Sequence, residues 1–270
     1  QRVYAMMDFA DWQRRTYLAR FGKTPYLHLL QMYDTYQAVL QLIASTHEDY
    51  SLGLLLPLNG LLSAHYLLST HQGERSMNHR TMRSSSAEEG GSSHETRVAL
   101  LRQMSFKQGK ATLTAIRTIH KNNPDSPPIA STESTIAMGD WLMWHGKQSG
   151  ARNAYQQAWA ELAERPDAEA QLKRLFGKPC ELPLVVEMDS GLEDQTRSKR
   201  RENEQPEWAR IAVTVNERGR ITSMNILESE PVEKSARLSQ VLRNLRGARY
   251  RPVFEDGQPV TSEFEKRYDY

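Results

Sequence analysis

Cysteine is nearly missing from this sequence: Cys180 is the only one in 270 residues. An intramolecular disulfide and any cysteine-based metal site are thereby excluded, and a lone thiol beside Pro179 reads as a small buried hydrophobe. Long apolar runs are missing too. The best stretch, Leu52 to Leu68, is interrupted by Pro57, Asn59, Ser63 and His65, so no membrane span is expected, and the mean hydropathy is -0.67. Charge of one sign is also absent. With 35 basic against 33 acidic residues the net charge is +2, too balanced for a phosphate-binding surface, which argues against nucleic acid as a partner. The one basic cluster, Arg197 to Arg201, is followed at once by Glu202, Glu204 and Glu207 and reads as a solvated linker.

Catalytic patterns are lacking as well. There is no glycine-rich phosphate loop, no Gly-x-Ser-x-Gly and no His-Glu-x-x-His. The eight histidines are scattered: His79 and His94 have no companion ligand at a fixed spacing, and His145 beside Trp144, near a turn, reads as structural or exposed. The expectation is therefore a non-enzymatic protein with no cofactor and no metal. The chain opens on Gln1 without a charged stretch leading into an apolar one, so any targeting or anchoring segment is expected upstream of it.

What is present is a polar but globular composition, 39% hydrophobic and 25% charged, over a length that suits one large or two modest domains. Residues 1–180 read as helical. Leu29, Tyr33, Tyr36, Leu40 and Ile43 recur at spacings of four, three, four and three on one stripe, behind a Thr24-Pro25 start. A second helix around Leu54 to Thr70 is apolar nearly all round and is expected between others. Ser76 to Ser93 is rich in serine and glycine and reads as a mobile loop. Helix resumes from Glu95 to Ile119 with a break or bend near Gly109, then from Thr132 to Trp144 and Ala151 to Ala163. A last short helix ends near Phe176.

Beyond Leu182 the period changes. Leu184, Val186 and Met188 alternate, as do Ile211, Val213 and Val215, and Ile221 to Leu227 is rich in strand formers. Asn216-Glu217-Arg218-Gly219 reads as the hairpin turn between the last two, Lys234 to Leu245 as a helix, and the tail alternates through Val260, Phe264 and Tyr268. The expected architecture is multidomain: an all-α part over 1–180 and a small α+β part, ββαβ, over 181–270, divided near Pro179 to Pro183.

Two family resemblances follow. The window from Gly139-Asp140-Trp141-Leu142 to Ala158 resembles a tetratricopeptide repeat, with Gly139 at the helix crossing, Gly146 in the turn, and Ala151, Tyr155 and Ala158 on the second helix. Gly109-Lys110 with Leu113, Ile116, Ile119 and Pro124 resembles the turn and second helix of a degenerate unit, and Leu58 to Gly73 a first helix with its turn. Pro206 to Tyr270 resembles the C-terminal domain of the TonB family. Its tokens are the hairpin around Arg218-Gly219-Arg220-Ile221, the strand Asn225 to Ser229, the helix Leu238 to Leu245, Arg249-Tyr250-Arg251-Pro252, and Gly257-Gln258-Pro259-Val260 before a closing strand.

That second resemblance implies a periplasmic domain that grips a short peptide of an outer-membrane receptor by adding it to a sheet edge. The chain departs from the family pattern in lacking a visible membrane helix and a Pro-rich spacer, with helical repeats in their place. The function expected is a periplasmic, cell-envelope interaction module or scaffold that captures peptide segments of envelope proteins, outer-membrane receptors among them. The alternative is a TonB-type energy transducer for outer-membrane receptors, anchored from upstream of Gln1. The candidate partner-binding residues are Tyr250, Pro252, Phe264 and Tyr268, with Phe264 and Tyr268 anchoring one face of an edge strand that also suits a homodimer. Trp141 and Trp144, three apart on one helix, either line a groove or pack the core of the hairpin.

Overall fold

The computed structural model describes residues 2–19, 25–45, 51–70, 91–182, 207–230 and 236–269. They are mostly helical, with small sheets confined to the C-terminal part. The chain divides into two compact units at Ala130/Ser131.

The first unit holds α1 (Arg2–Leu18), α2 (Pro25–Ala44), a 3-10 turn (Leu52–Leu54), α3 (Leu55–Thr70) and α4 (Gly91–Asn122). The predicted stripe on α2 is inward: Leu29, Tyr33, Tyr36 and Ile43 are buried and Leu40 packs against the core. They meet Met7 and Ala10 of α1, Leu61, Ala64 and Leu68 of α3, and Val98 and Leu101 of α4. Each buried leucine, isoleucine, valine or methionine among them stabilises the unit by roughly 1.5–3 kcal/mol through burial alone. At Gly60 α3 lies close against α2, since a Cβ there would lie 2.3 Å from the Tyr36 ring.

As its composition implies, α3 is buried on every side from Leu61 to Leu68, although Leu56 and Asn59 in its first turns are exposed. The segment Leu52–Thr70 has a mean hydropathy of 1.3 and is, against expectation, long and apolar enough to cross a membrane by composition; more than half of it is buried inside this unit. Two further expectations need correction. The helix does not break at Gly109, because α4 runs without interruption for 32 residues. Glycine inside a helix costs about 1 kcal/mol relative to alanine, which the packing of Leu113, Ile116 and Ile119 offsets. With no turn at Gly109, the repeat unit read there loses its turn. Of the loop expected over Ser76 to Ser93, residues 91–93 form the first turn of α4. The rest of it lies outside the described residues, as do the alternating Leu184, Val186 and Met188.

The second unit contains α5 (Ala130–Trp144, from Ser131 on), α6 (Gln148–Ala163) and α7 (Ala168–Phe176), followed by the strands. These are β1 (Cys180–Leu182), β2 (Trp208–Val215), β3 (Ile221–Glu230), β4 (Arg249–Arg251), β5 (Val253–Glu255), β6 (Gln258–Val260) and β7 (Ser262–Asp269). One helix, α8 (Ala236–Gly247), lies between β3 and β4 in the chain. The sheet order is β3-β2-β7, all antiparallel, with β1-β4 and β5-β6 as separate two-stranded ladders. Ala209, Ile211, Val213 and Val215 project to one face of β2 and are buried against Leu238 and Leu245 of α8, Tyr250, Phe264 and Tyr268. The other face is polar: Arg210 pairs with Glu228 at 2.8 Å and Glu265 at 3.5 Å, and Arg267 lies over the Trp208 ring at 4.3 Å.

The division expected near Pro179 to Pro183 is thus not the division between compact units. Helices α5–α7 belong with the sheets because they share an interior with them. The Arg251 guanidinium of β4 reaches Asp140 of α5, and the ring of Phe254 on β5 lies among Tyr155, Trp159 and Phe176.

Candidate functional site

A groove of about 450 Å³ opens on the second unit. Its position follows from three local features. The first is the α5–α6 hairpin. Gly146 ends α5 with φ +72°, while its N–H donates to the Met143 carbonyl at 3.0 Å and that of Lys147 to the Leu142 carbonyl at 2.8 Å. This paired arrangement after a left-handed glycine stops a helix sharply. The two helices approach at Gly139, where a Cβ would lie 2.4 Å from the Tyr155 ring. Ala151, Tyr155 and Ala158 are fully buried, so the small-aromatic-small pattern reads as helix packing.

The second feature is the β2–β3 turn. Asn216 Oδ1 accepts from the backbone N–H groups of Arg218 and Arg220, both at 3.0 Å. Gly219 has φ +65°, its carbonyl accepts from Tyr250 N–H at 3.0 Å, and a Cβ would stand 2.0 Å from the Tyr250 carbonyl oxygen. Only glycine fits. The third is the β5–β6 hairpin, whose two-residue loop Asp256-Gly257 has φ +47° and +73°. Positive φ at both positions matches the twist of a tight hairpin.

Beneath the groove lies a buried polar knot. Arg251 Nε and Nη2 donate to the two Asp140 oxygens at 2.9 and 2.8 Å, and Nη1 donates to the Leu175 carbonyl at 2.8 Å. Tyr155 donates its hydroxyl proton to Asp140 Oδ1 at 2.8 Å. Burial alone would push the Arg251 guanidinium down; the Asp140 charge and its hydrogen bonds outweigh that, and the net direction is up. The knot holds Tyr155 and β4 in fixed relation, which sets the groove floor.

The lining combines that floor with a charged mouth. Met143, Pro252, Phe254 and Pro259 are largely buried and show only their edges to it, with the fully buried Tyr155 behind them; Gln148, Ser149 and Arg152 come from the first turns of α6, and Glu217 and Arg218 from the β2–β3 turn. Thr261 donates its hydroxyl to Glu217 Oε1 at 2.7 Å. That bond, a backbone N–H and then the charges of Arg218 and Arg152 hold the Glu217 carboxyl below the usual carboxylate range. Among the described residues no group of three or more His, Cys, Asp or Glu converges as a metal site would require.

Of the residues singled out from sequence, Pro252 lines this groove. Tyr250 and Trp141 are fully buried and offer a partner no accessible ring: Tyr250 belongs to the core beneath β2, and Trp141 packs against the His145 ring at 4.4 Å. For Trp141 the core alternative holds. Trp144 is half-buried. Phe264 and Tyr268 are half-buried on the inner face of β7, while Glu263, Glu265 and Arg267 point outward, as their alternation predicts. Arg152, Phe254 and Pro259 were not foreseen as lining. The Asp256-Gly257 dipeptide is the signal that could have located the β5–β6 hairpin and with it two of them.

Comparison with protein-family models, with curated proteins and with solved structures finds no match to this chain.

Proposed function

We propose that this chain is a non-enzymatic peptide-capturing module of the Gram-negative cell envelope, acting in the periplasm as a scaffold for segments of envelope proteins. The observation that carries the reading is the placement of β7. It closes one margin of the described sheet β3-β2-β7, with apolar residues inward and Glu263, Glu265 and Arg267 outward. A marginal strand can accept an extended segment by backbone pairing with little demand on side-chain identity. Outward charges are a common device against indiscriminate pairing at such a margin.

Two further features support it. The α5–α6 hairpin joins Gly139 to Tyr155 with Gly146 at the turn, as a tetratricopeptide hairpin would. The order hairpin, helix, closing strand over 208–269 agrees with a TonB-like C-terminal domain.

The test is substitution of Glu265 by proline, which removes a backbone donor from β7. The expected result is loss of captured envelope-protein segments in pull-downs, with the helical circular-dichroism signal retained. Undiminished capture by the folded variant would move recognition away from β7. Recovery of the tagged full-length gene product in the cytoplasmic fraction would overturn the periplasmic assignment. Concentration-dependent sedimentation identifies the case in which the β7 partner is a second copy.

A further inference from the structure

We infer that the groove between α6, the β2–β3 turn and the β4–β6 strands takes an acidic, extended peptide segment. An apolar side chain sits on the floor and a neighbouring carboxylate sits between Arg152 and Arg218. The inference rests on the reading of the chain as a peptide-binding module, but does not require β7 to be the edge that is used.

The floor comes first. Tyr155 and Phe254 are held edge to face, with centroids 5.6 Å apart, and Phe254 packs on Phe176 at 5.0 Å. Tyr155 is tied to Asp140, and Pro252 directly follows the Arg251 that Asp140 binds. These groups are ordered before a ligand arrives, so little conformational freedom is lost on binding. The two prolines lack N–H groups, which leaves the floor poor in donors and suited to an apolar side chain.

The mouth supplies the charge preference. Arg152 and Arg218 face one acidic residue, Glu217, whose carboxylate is already engaged by the Thr261 hydroxyl. Both guanidinium groups act on Glu217 through charge, yet neither forms an ion pair with it at bonding distance. The mouth therefore carries an excess positive charge, from two exposed planar forks whose geometry matches a carboxylate. A volume near 450 Å³ is in the range of ligand clefts and too small for a folded domain. A free inorganic anion would engage the arginines alone; an acidic segment with an apolar neighbour also covers the edges that Pro252, Phe254 and Pro259 show to the groove.

The experiment is fluorescence anisotropy with the full chain and fluorescein-labelled, C-terminally amidated peptides in which leucine alternates with glutamate or with glutamine. The glutamate peptide is expected to bind about tenfold more tightly at low salt, with the gap closing as salt screens the exposed charges. In the Arg152→Glu/Arg218→Glu variant the preference should vanish, with near-ultraviolet circular dichroism unchanged. Equal affinity for both peptides overturns the inference, as does a glutamate preference that survives the double substitution. A requirement for a free C-terminal carboxylate would overturn an internal acidic segment as the occupant. Loss of all binding in Glu265→Pro but none in the arginine variant would refute the groove while leaving the peptide-binding reading intact. If neither peptide binds the wild type at millimolar concentration the inference fails, while capture of envelope-protein segments by the wild type in pull-downs decides the peptide-binding reading separately.

Discussion

Arg251 and Asp140 are 111 residues apart in the chain and form a buried, two-bonded ion pair at 2.9 and 2.8 Å. It ties a strand of the C-terminal part to a helix that sequence periodicity assigns to a different domain. Both side chains are almost completely buried, so neither charge has water to fall back on.

Removing one partner should therefore be severe. Arg251→Ala leaves the Asp140 carboxylate buried without its counter-charge and should cost about 3–5 kcal/mol in urea unfolding. The paired substitution Asp140→Leu/Arg251→Met should recover most of that loss, because no buried charge remains. Arg210 gives the contrast. It also has carboxylates at 2.8 and 3.5 Å, but all three groups are exposed, and Arg210→Ala should cost less than about 1 kcal/mol.

Two glycines with similar positive φ should respond differently to alanine. At Gly146 nothing lies within 4 Å of the added Cβ, so Gly146→Ala should cost only the backbone penalty, about 1–2 kcal/mol. At Gly219 the Cβ meets the Tyr250 carbonyl oxygen at 2.0 Å, and that atom belongs to the backbone of β4. Gly219→Ala should exceed Gly146→Ala by about 1–3 kcal/mol, since the turn must shift away from β4. Equal thermal midpoints for the two variants would contradict this.

His65 should make the first unit acid-sensitive. Its ring is buried in α3, edge to face with Tyr33 at 5.6 Å, and neither ring nitrogen has a hydrogen-bond partner among the described residues. Burial pushes its pKa from the ordinary 6.5 down to about 4. Between those values the unfolded chain binds a proton that the folded one refuses, so stability rises with pH. The corresponding loss, on acidifying from pH 6.5 to 4, approaches about 3 kcal/mol. His65→Leu should flatten the slope over that window. Imidazole NMR signals that titrate near 6.5 in the folded protein would disprove the assignment.

Much of the helical part was legible because its signals are local. The α2 stripe, the Gly139–Tyr155 crossing and the Asn216 to Gly219 turn each lie within a few turns of chain, and the structure bears out each as geometry. The division between compact units was not legible, since long-range contacts such as that of Asp140 with Arg251 leave no periodic trace. Helix α1 was obscured for a different reason. Tyr4, Phe9 and Trp12 are exposed while Gln13 and Arg14 are buried, so apolar residues do not mark the inward face. Gly109 misled because a propensity cost of about 1 kcal/mol is small beside the packing of a long helix. Of the groove, only Pro252 was anticipated. The aromatic residues chosen for partner contact were chosen for their size, and large side chains such as Tyr250 and Trp141 are those a small unit buries first.

The separation between Asp140 and Arg251 also has a consequence in time. During synthesis at about 5–20 residues per second, Asp140 leaves the ribosome roughly 5–20 s before Arg251 does. Helices α5–α7 are complete only once Phe176 has emerged, and from then until Arg251 follows their interior holds a carboxylate whose counter-charge does not yet exist. Until β4 emerges the nascent hairpin has reason to stay loose, with Asp140 turned to water, and the arrival of Arg251 is what closes it.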